Sequence, residues 1–129
     1  MTTSNRWHLH GSRGHAYSGE EARLLLGNRL DWANQETWFE DDEDRLLAVV
    51  TNGKRAMVVL MNAEGDPGEH LVDPSGEGHT GGYLLSNGQI DVYADRDTVP
   101  FTVAARAVAH LIDHGTWPDD VTIDDDRGR

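Results

Sequence analysis

The stretch DRLLAVVTNGKRAMVVLMN, residues Asp44 to Asn62, predicts the centre of the fold. Two apolar runs, Leu46–Val50 and Ala56–Met61, flank the dipeptide Asn52-Gly53. Asn-Gly between such runs is a strong hairpin signal, because a tight turn needs positive φ angles that Asn and Gly tolerate. Neither run alternates cleanly between apolar and polar residues. We therefore expect both faces of this hairpin to be covered and the hairpin to lie centrally in its sheet.

A two-residue loop at Asn52-Gly53 would also fix the register of the two strands. It predicts that Val49 lies opposite Ala56, and that Leu47 lies opposite Val58.

A second hairpin is predicted at Asn87-Gly88, between the short runs Tyr83–Ser86 and Gln89–Tyr93. In its two-residue register, Leu85 faces Ile90 and Tyr83 faces Val92, which gives one apolar face. The other face pairs Leu84 with Asp91 and is more polar and more exposed to solvent. We expect this hairpin nearer to an edge of the sheet than the first one.

Two helices are predicted, one on each side of the strand-rich region. Ser18 and Glu21 form a capping box that begins a helix over residues 19–30. A second helix is predicted with Thr98 as its N-cap, Pro100 near its first turn and Gly115 just past its end. The fold class is therefore α+β: an antiparallel β-sheet built from two hairpins and packed by two helices.

One domain accounts for the whole chain. Its 129 residues are 37% hydrophobic and suit a single core. We expect residues 1–17 to be a polar lead-in, residues 18–123 to form the domain, with a last short strand at Val121–Ile123, and residues 124–129 to form an acidic tail.

The charge and composition exclude several functional classes. The net charge of −12 argues against non-specific binding to nucleic acid or anionic membranes and favours cationic partners. The chain has no cysteine, so disulfides, thiol chemistry and cysteine metal sites are ruled out. No apolar run approaches the roughly 20 residues of a membrane span, and the polar N-terminus lacks a secretory signal pattern.

An acidic run follows the short β-prone segment Glu36–Phe39 and leads into the first hairpin. Five consecutive acids cannot all be buried, so we expect the run to be solvated and unimportant for folding. Such a run is either a solubilising surface or an acidic docking patch with the nearby Trp32 and Trp38 as apolar anchors. The candidate partner-binding residues of this patch are Trp38, Glu40, Asp41, Asp42, Glu43 and Asp44. A second candidate surface consists of Asp91, Tyr93, Asp95 and Asp97.

Metal binding and catalysis find little support in the sequence. Two histidine groups have suggestive spacing, His8, His10 and His15 near the start and His110 with His114 on the second helix. Zinc normally takes three or four converging ligands, and neither group supplies them. Seven histidines and many carboxylates make a small hydrolase conceivable, but no recognisable catalytic motif appears. We expect no metal, no cofactor and no catalytic residue.

The layout from about Ser18 to Ile123 resembles a known family. The features that carry the resemblance are, in chain order, the strand Arg45–Thr51 turning into Ala56–Met61, a glycine-rich loop before an apolar strand and Asn87-Gly88-Gln89, the entry Val99-Pro100 into an Ala- and Val-rich helix, and the segment His114–Pro118. In this layout the chain resembles Imm-one, the first of the numbered immunity-protein families of bacterial polymorphic toxin systems. The family often closes with a Val-x-Trp-like strand, where this chain has Val121-Thr122-Ile123.

The resemblance implies a function without catalysis. It implies a cytoplasmic protein that binds a cognate toxin and protects the producing cell. Toxins paired with the family include deaminases and nucleases that act on nucleic acids. An acidic protein can occupy the cationic cleft of such a toxin. The alternatives are an acidic interaction or regulatory module without a toxin partner, and a small hydrolase.

Overall fold

The computed structural model describes residues 6–29 and 35–127 and has an α+β fold, as predicted. Its strands are β1 (Trp7–Leu9), β2 (Ser12–Tyr17), β3 (Glu36–Asp41), β4 (Leu46–Thr51), β5 (Arg55–Met61), β6 (Glu69–Val72), β7 (His79–Leu84), β8 (Ile90–Ala94), β9 (Val99–Pro100) and β10 (Thr122–Asp125). Its helices are α1 (Gly19–Arg29) and α2 (Phe101–His114), and residues Asp95–Asp97 form a 3₁₀ turn. The main sheet is antiparallel, in the order β10-β6-β5-β4-β3-β1-β2, with β9 also paired to β5.

The first hairpin lies centrally in this sheet, as predicted, but its register differs from the predicted one. Val49 pairs with Val58 and Leu47 with Leu60, a shift of two residues. The reason is the side chain of Asn52, whose Oδ1 accepts the backbone N–H groups of both Lys54 and Arg55. Asn52 therefore flanks the turn instead of occupying its centre. Gly53 alone of the predicted pair has a positive φ, +94°.

The second hairpin, β7–β8, forms a separate two-stranded sheet instead of an edge of the main one. Asn87-Gly88 lies in its turn, as predicted. The loop is longer than two residues, because the Leu85 N–H donates to the Gln89 carbonyl. Leu84 consequently pairs with Ile90 and Tyr83 with Asp91, so the predicted pairing of this hairpin was wrong.

The two helices begin and end close to the predicted positions. The capping box is present: the Glu21 N–H donates to Ser18 Oγ at 3.1 Å, and the Ser18 N–H donates to Glu21 Oε1 at 2.9 Å. The predicted last residue of α1 lies outside the described residues. Gly115 ends α2 with a φ of +79°. Neither helix in the described ranges is long and apolar enough to cross a membrane.

Thr98 is not the N-cap of α2, because it is fully buried and its hydroxyl accepts a hydrogen bond from Arg55 Nε at 2.8 Å. Pro100 is the residue before the helix, and its partner across the sheet is Arg55.

The domain extends beyond the predicted boundaries at both ends. Residues 7–17 are not a lead-in, since β1 and β2 belong to the main sheet and Trp7 is fully buried in the core. At the other end, β10 covers Thr122–Asp125, so two residues of the expected acidic tail pair with β6.

Strand alternation gives the main sheet two faces. The helix-covered face carries Phe39, Leu47, Val49, Val58 and Leu60, which pack with α1 and α2 into one core. We call the opposite side the second face. It carries Trp38, Glu40, Leu46, Ala48, Val50, Met57, Val59, Met61 and His70.

Candidate interaction surface

The second face presents an apolar strip with a polar margin. Trp38, Ala48 and Val59 lie side by side on three adjacent strands. Trp38 and Val59 are half-buried, as are Met57 and Met61, whereas Ala48 is 3% exposed. At the β3 end, His10, Trp38, Leu46 and Glu64 line an open depression of about 270 Å³. An apolar strip with charged edges is the general form of a protein-binding surface.

Glu36 connects this strip to the β7–β8 hairpin. Its carboxylate accepts the Ser86 N–H at 2.8 Å, the Ser86 hydroxyl at 3.0 Å and the indole N–H of Trp38 at 2.6 Å. Burial alone would raise the pKa of Glu36, but these hydrogen bonds outweigh it and hold the pKa below its usual value. The hairpin is thus tied to one end of the second face through Glu36, and Glu36 also holds the ring of Trp38.

The acidic run is not uniformly solvated, which corrects the expectation for Asp41. Asp41 is completely buried and points to the helix-covered side with Phe39. Its carboxylate accepts the N–H groups of Glu43 at 3.0 Å and Arg45 at 2.8 Å, and it pairs with the Arg45 guanidinium at 2.7 Å. Asp41 therefore closes the β3–β4 turn, and it cannot face a partner.

Other acids of the run pair with basic groups from β1, β2 and the turn between them. Glu40 lies 3.4 Å from His10 and 3.3 Å from Arg13. Asp42 lies 3.6 Å from the buried His8, and Asp44 lies 3.5 Å from Arg13. The run is thus partly neutralised inside the domain, which weakens its case as a purely acidic patch. Asp42, Glu43 and Asp44 remain exposed.

The structure separates the four residues of the other candidate surface. Asp91 and Tyr93 share one side of β8, where the Tyr93 hydroxyl donates to Asp91 at 2.9 Å. Burial, reinforced by Asp91, raises the pKa of the Tyr93 hydroxyl. Asp95 and Asp97 lie in the 3₁₀ turn, where the Asp95 carbonyl accepts from Arg55 and Asp97 contacts His70.

Sequence reasoning missed the apolar members of the surface and the residue that holds its surroundings together. The half-buried members of β5 were hidden within a run in which every residue is apolar. Arg55 binds the Thr98 hydroxyl, Asp73 at 2.8 Å and the Asp95 carbonyl at 3.0 Å. It thereby joins three segments far apart in sequence, namely β5, the loop at Asp73 and the stretch Asp95–Thr98, and no local pattern signals this.

The histidines considered for metal binding have other partners. His15 bonds to Glu21 at 2.8 Å, and His110 bonds to the Thr116 carbonyl at 2.8 Å. A group that the sequence did not suggest consists of His70, Asp124 and Asp126, whose ligand atoms all lie within 4.8 Å of one another. Burial lowers the pKa of His70, but hydrogen bonds with Asp126 and Asp97 raise it overall.

Comparisons with known proteins add no relative: no family model, no curated protein and no solved structure matches this chain. The resemblance to Imm-one therefore stays a prediction.

Proposed function

We propose that this protein is a non-catalytic immunity protein that binds a cationic, nucleic-acid-acting toxin with the second face of its sheet. The observation that carries the proposal is the half-buried apolar strip of that face, Trp38, Met57, Val59 and Met61, with carboxylates at its margin. The role corresponds to the Imm-one resemblance and belongs in the cytoplasm of the producing cell.

The strip has the chemistry of an interface centre. Its members are aromatic or thioether side chains and a valine, which release water when a partner covers them. Trp38 is held by its hydrogen bond to Glu36, so little side-chain entropy is lost on binding. These properties favour Trp38 as the anchor residue of the interface.

The charge distribution favours a cationic partner. The chain has 23 acidic residues against 11 lysines and arginines. A toxin that acts on nucleic acid carries a basic cleft, which this field would attract. Because Glu40 and Asp44 already have basic neighbours, we assign the margin a role in association rate more than in residence time.

The test is binding to the toxin domain encoded beside this protein's gene. We expect the double variant Trp38→Ser, Met61→Ser to weaken the Kd at least about tenfold, as loss of a central aromatic does. The matched control is Leu24→Ser on α1, an exposed leucine on the other side of the molecule. It should leave the Kd unchanged.

Two results would overturn the proposal. Equal affinity of the Trp38–Met61 variant and the parent would remove the second face as the binding site. Failure of the parent both to bind the neighbouring toxin and to protect cells that express it would remove the immunity function.

The acidic margin has its own test, the association rate measured at low and high salt. Replacing Asp42 and Glu43 with Ser, with Asp41 kept, should slow association at low salt and have little effect at high salt.

A further inference from the structure

We propose that His70, Asp124 and Asp126 form a binding site for a divalent transition-metal ion, with Zn²⁺ as the best-fitting ion and Asp97 as the residue that orients His70. His70 lies on the second face, opposite Val59 of the apolar strip, but zinc binding is argued from its own ligands and is tested without a toxin.

Strand pairing builds the site at the edge of the main sheet. His70 on β6 lies directly opposite Asp124 on β10. Because side chains two apart on an extended chain point the same way, Asp126 projects on the same side as Asp124. The result is one imidazole and two carboxylates whose ligand atoms lie within 4.8 Å of one another, a set that small side-chain rotations bring around one ion.

Asp97 supplies an observation from outside this group of three. It belongs to the 3₁₀ turn, and its Oδ1 lies 3.1 Å from His70 Nε2. Histidines that bind metals nearly always donate their other ring N–H to a carboxylate or a carbonyl. Asp97 accepts such a bond, which turns Nδ1, now 2.7 Å from Asp126, towards the proposed ligands.

The two sides of the β6–β10 pair differ in how their carboxylates are neutralised. On one side Arg127 binds Glu69 at 2.9 Å and Asp125 at 3.5 Å. On the other side, among the described residues, the His70 imidazole contacts Asp97 at 3.1 Å and Asp126 at 2.7 Å. A divalent ion in place of the Nδ1 proton would offset more of the negative charge there. The net charge of −12 favours cation binding throughout the chain.

The ligand types favour Zn²⁺. A nitrogen ligand with two carboxylates suits a borderline ion, whereas Ca²⁺ and Mg²⁺ prefer sites made of oxygen ligands alone. One ligand comes from β10 and another from Asp126 directly after it, so a bound ion would hold β10 to β6.

The experiment titrates ZnCl₂ into EDTA-treated protein purified without an affinity tag, by calorimetry and by thermal unfolding. We expect one equivalent to bind and Tm to rise with zinc concentration. Asp124→Asn and His70→Gln should each weaken the Kd at least about tenfold, and Asp97→Asn should weaken it less. Substituted Co²⁺ should show visible absorption that Asp124→Asn abolishes.

The control is the double variant His110→Gln, His114→Gln, which removes two neighbouring imidazoles of α2, 4.5 Å apart between ring centroids. It should bind zinc like the parent. Circular dichroism verifies the fold of every variant. If His70→Gln fails to fold, the nearly isosteric variant Asp124→Asn provides the test of the site. Absence of binding at millimolar zinc, an unchanged Kd in Asp124→Asn, or loss of binding in the His110–His114 variant would each overturn the proposal.

Discussion

The two faces of the main sheet bury their residues in different ways. On the helix-covered face, Phe39, Leu47 and Val58 have no exposed surface and pack with α1 and α2. On the second face, Trp38 and Val59 stay half-buried, although their neighbour Ala48 is buried. The same strands β3, β4 and β5 supply both faces.

This difference separates stability from binding. Residues of the first face have many partners inside the domain, so substitutions there should cost folding free energy. The half-buried residues of the second face keep surface available, so substitutions of those residues should cost affinity for a partner instead. The following predictions test this division, from the largest expected effect to the smallest.

The largest effect should come from Leu47→Ala on the helix-covered face. It should lower the free energy of unfolding by about 3–5 kcal/mol, because it leaves a cavity in a packed core. The comparison variant is Val59→Ala on β5, half-buried on the second face, which should cost less than about 1.5 kcal/mol. Urea unfolding measures both, and equal losses would contradict the difference between the faces.

Two adjacent carboxylates, Asp41 at the end of β3 and Asp42 in the turn that follows, provide the next test. Asp41→Ala should cost about 3 kcal/mol, since it leaves the Arg45 guanidinium and two N–H groups without their acceptor. Asp42→Ala, one residue later and exposed, should cost less than about 1 kcal/mol. Thermal and urea unfolding measure the loss of stability in each of the two variants. Similar small losses would mean that the whole run is a solvated surface.

Substitutions in the turns of the two hairpins should also differ in how much of the protein they destabilise. Gly53→Val should cost about 1 kcal/mol or more, because valine resists the φ of +94° and the turn joins the two central strands. Gly88→Val meets the same restriction at a φ of +89°, but in the separate two-stranded sheet. Hydrogen exchange should show faster exchange confined to β7 and β8 for Gly88→Val. Equal global destabilisation would contradict the independence of that hairpin.

The smallest effect concerns pH and Glu36. Because its folded pKa lies below the usual 4.5, its hydrogen bonds to Ser86 and Trp38 stabilise the protein above pH 4.5, and this contribution is lost as pH falls through the folded pKa. Glu36→Gln should therefore be less stable than the parent at pH 7, with the difference shrinking towards pH 3. Unfolding free energies over this range test it, and a constant difference would contradict the link.

Local features of the fold were predicted well because short-range chemistry decides them. The capping box at Ser18 and Glu21, the end of α2 at Gly115 and the existence of both hairpins all follow from a few adjacent residues. Registers were predicted poorly. In the first hairpin, hydrogen bonds to the Asn52 side chain set a register different from the predicted one. In the second hairpin, a longer loop closed by the Leu85–Gln89 hydrogen bond does so. Composition does not reveal either hydrogen bond.

The candidate surface was predicted only in part, for a related reason. Trp38 and Glu40 lie on the second face, as an interface requires, but Asp41 alternates to the opposite side and is buried. Charge density suggested that the five acids behave as one group, whereas strand alternation divides them.

By itself, the sequence determined the fold class, the central position of the first hairpin, the start of α1 and the end of α2, because apolar periodicity, capping and positive φ angles act over a few residues. Only the tertiary structure decided which strands meet. It placed Trp7 in the core, joined Arg55 to two distant segments, at Asp73 and at Asp95–Thr98, and set His70 opposite Asp124. The pairing of β6 with β10 joins residues that are at least 50 positions apart, such as Thr122 and Val72. That choice depends on the packing of the whole chain, which no local pattern contains.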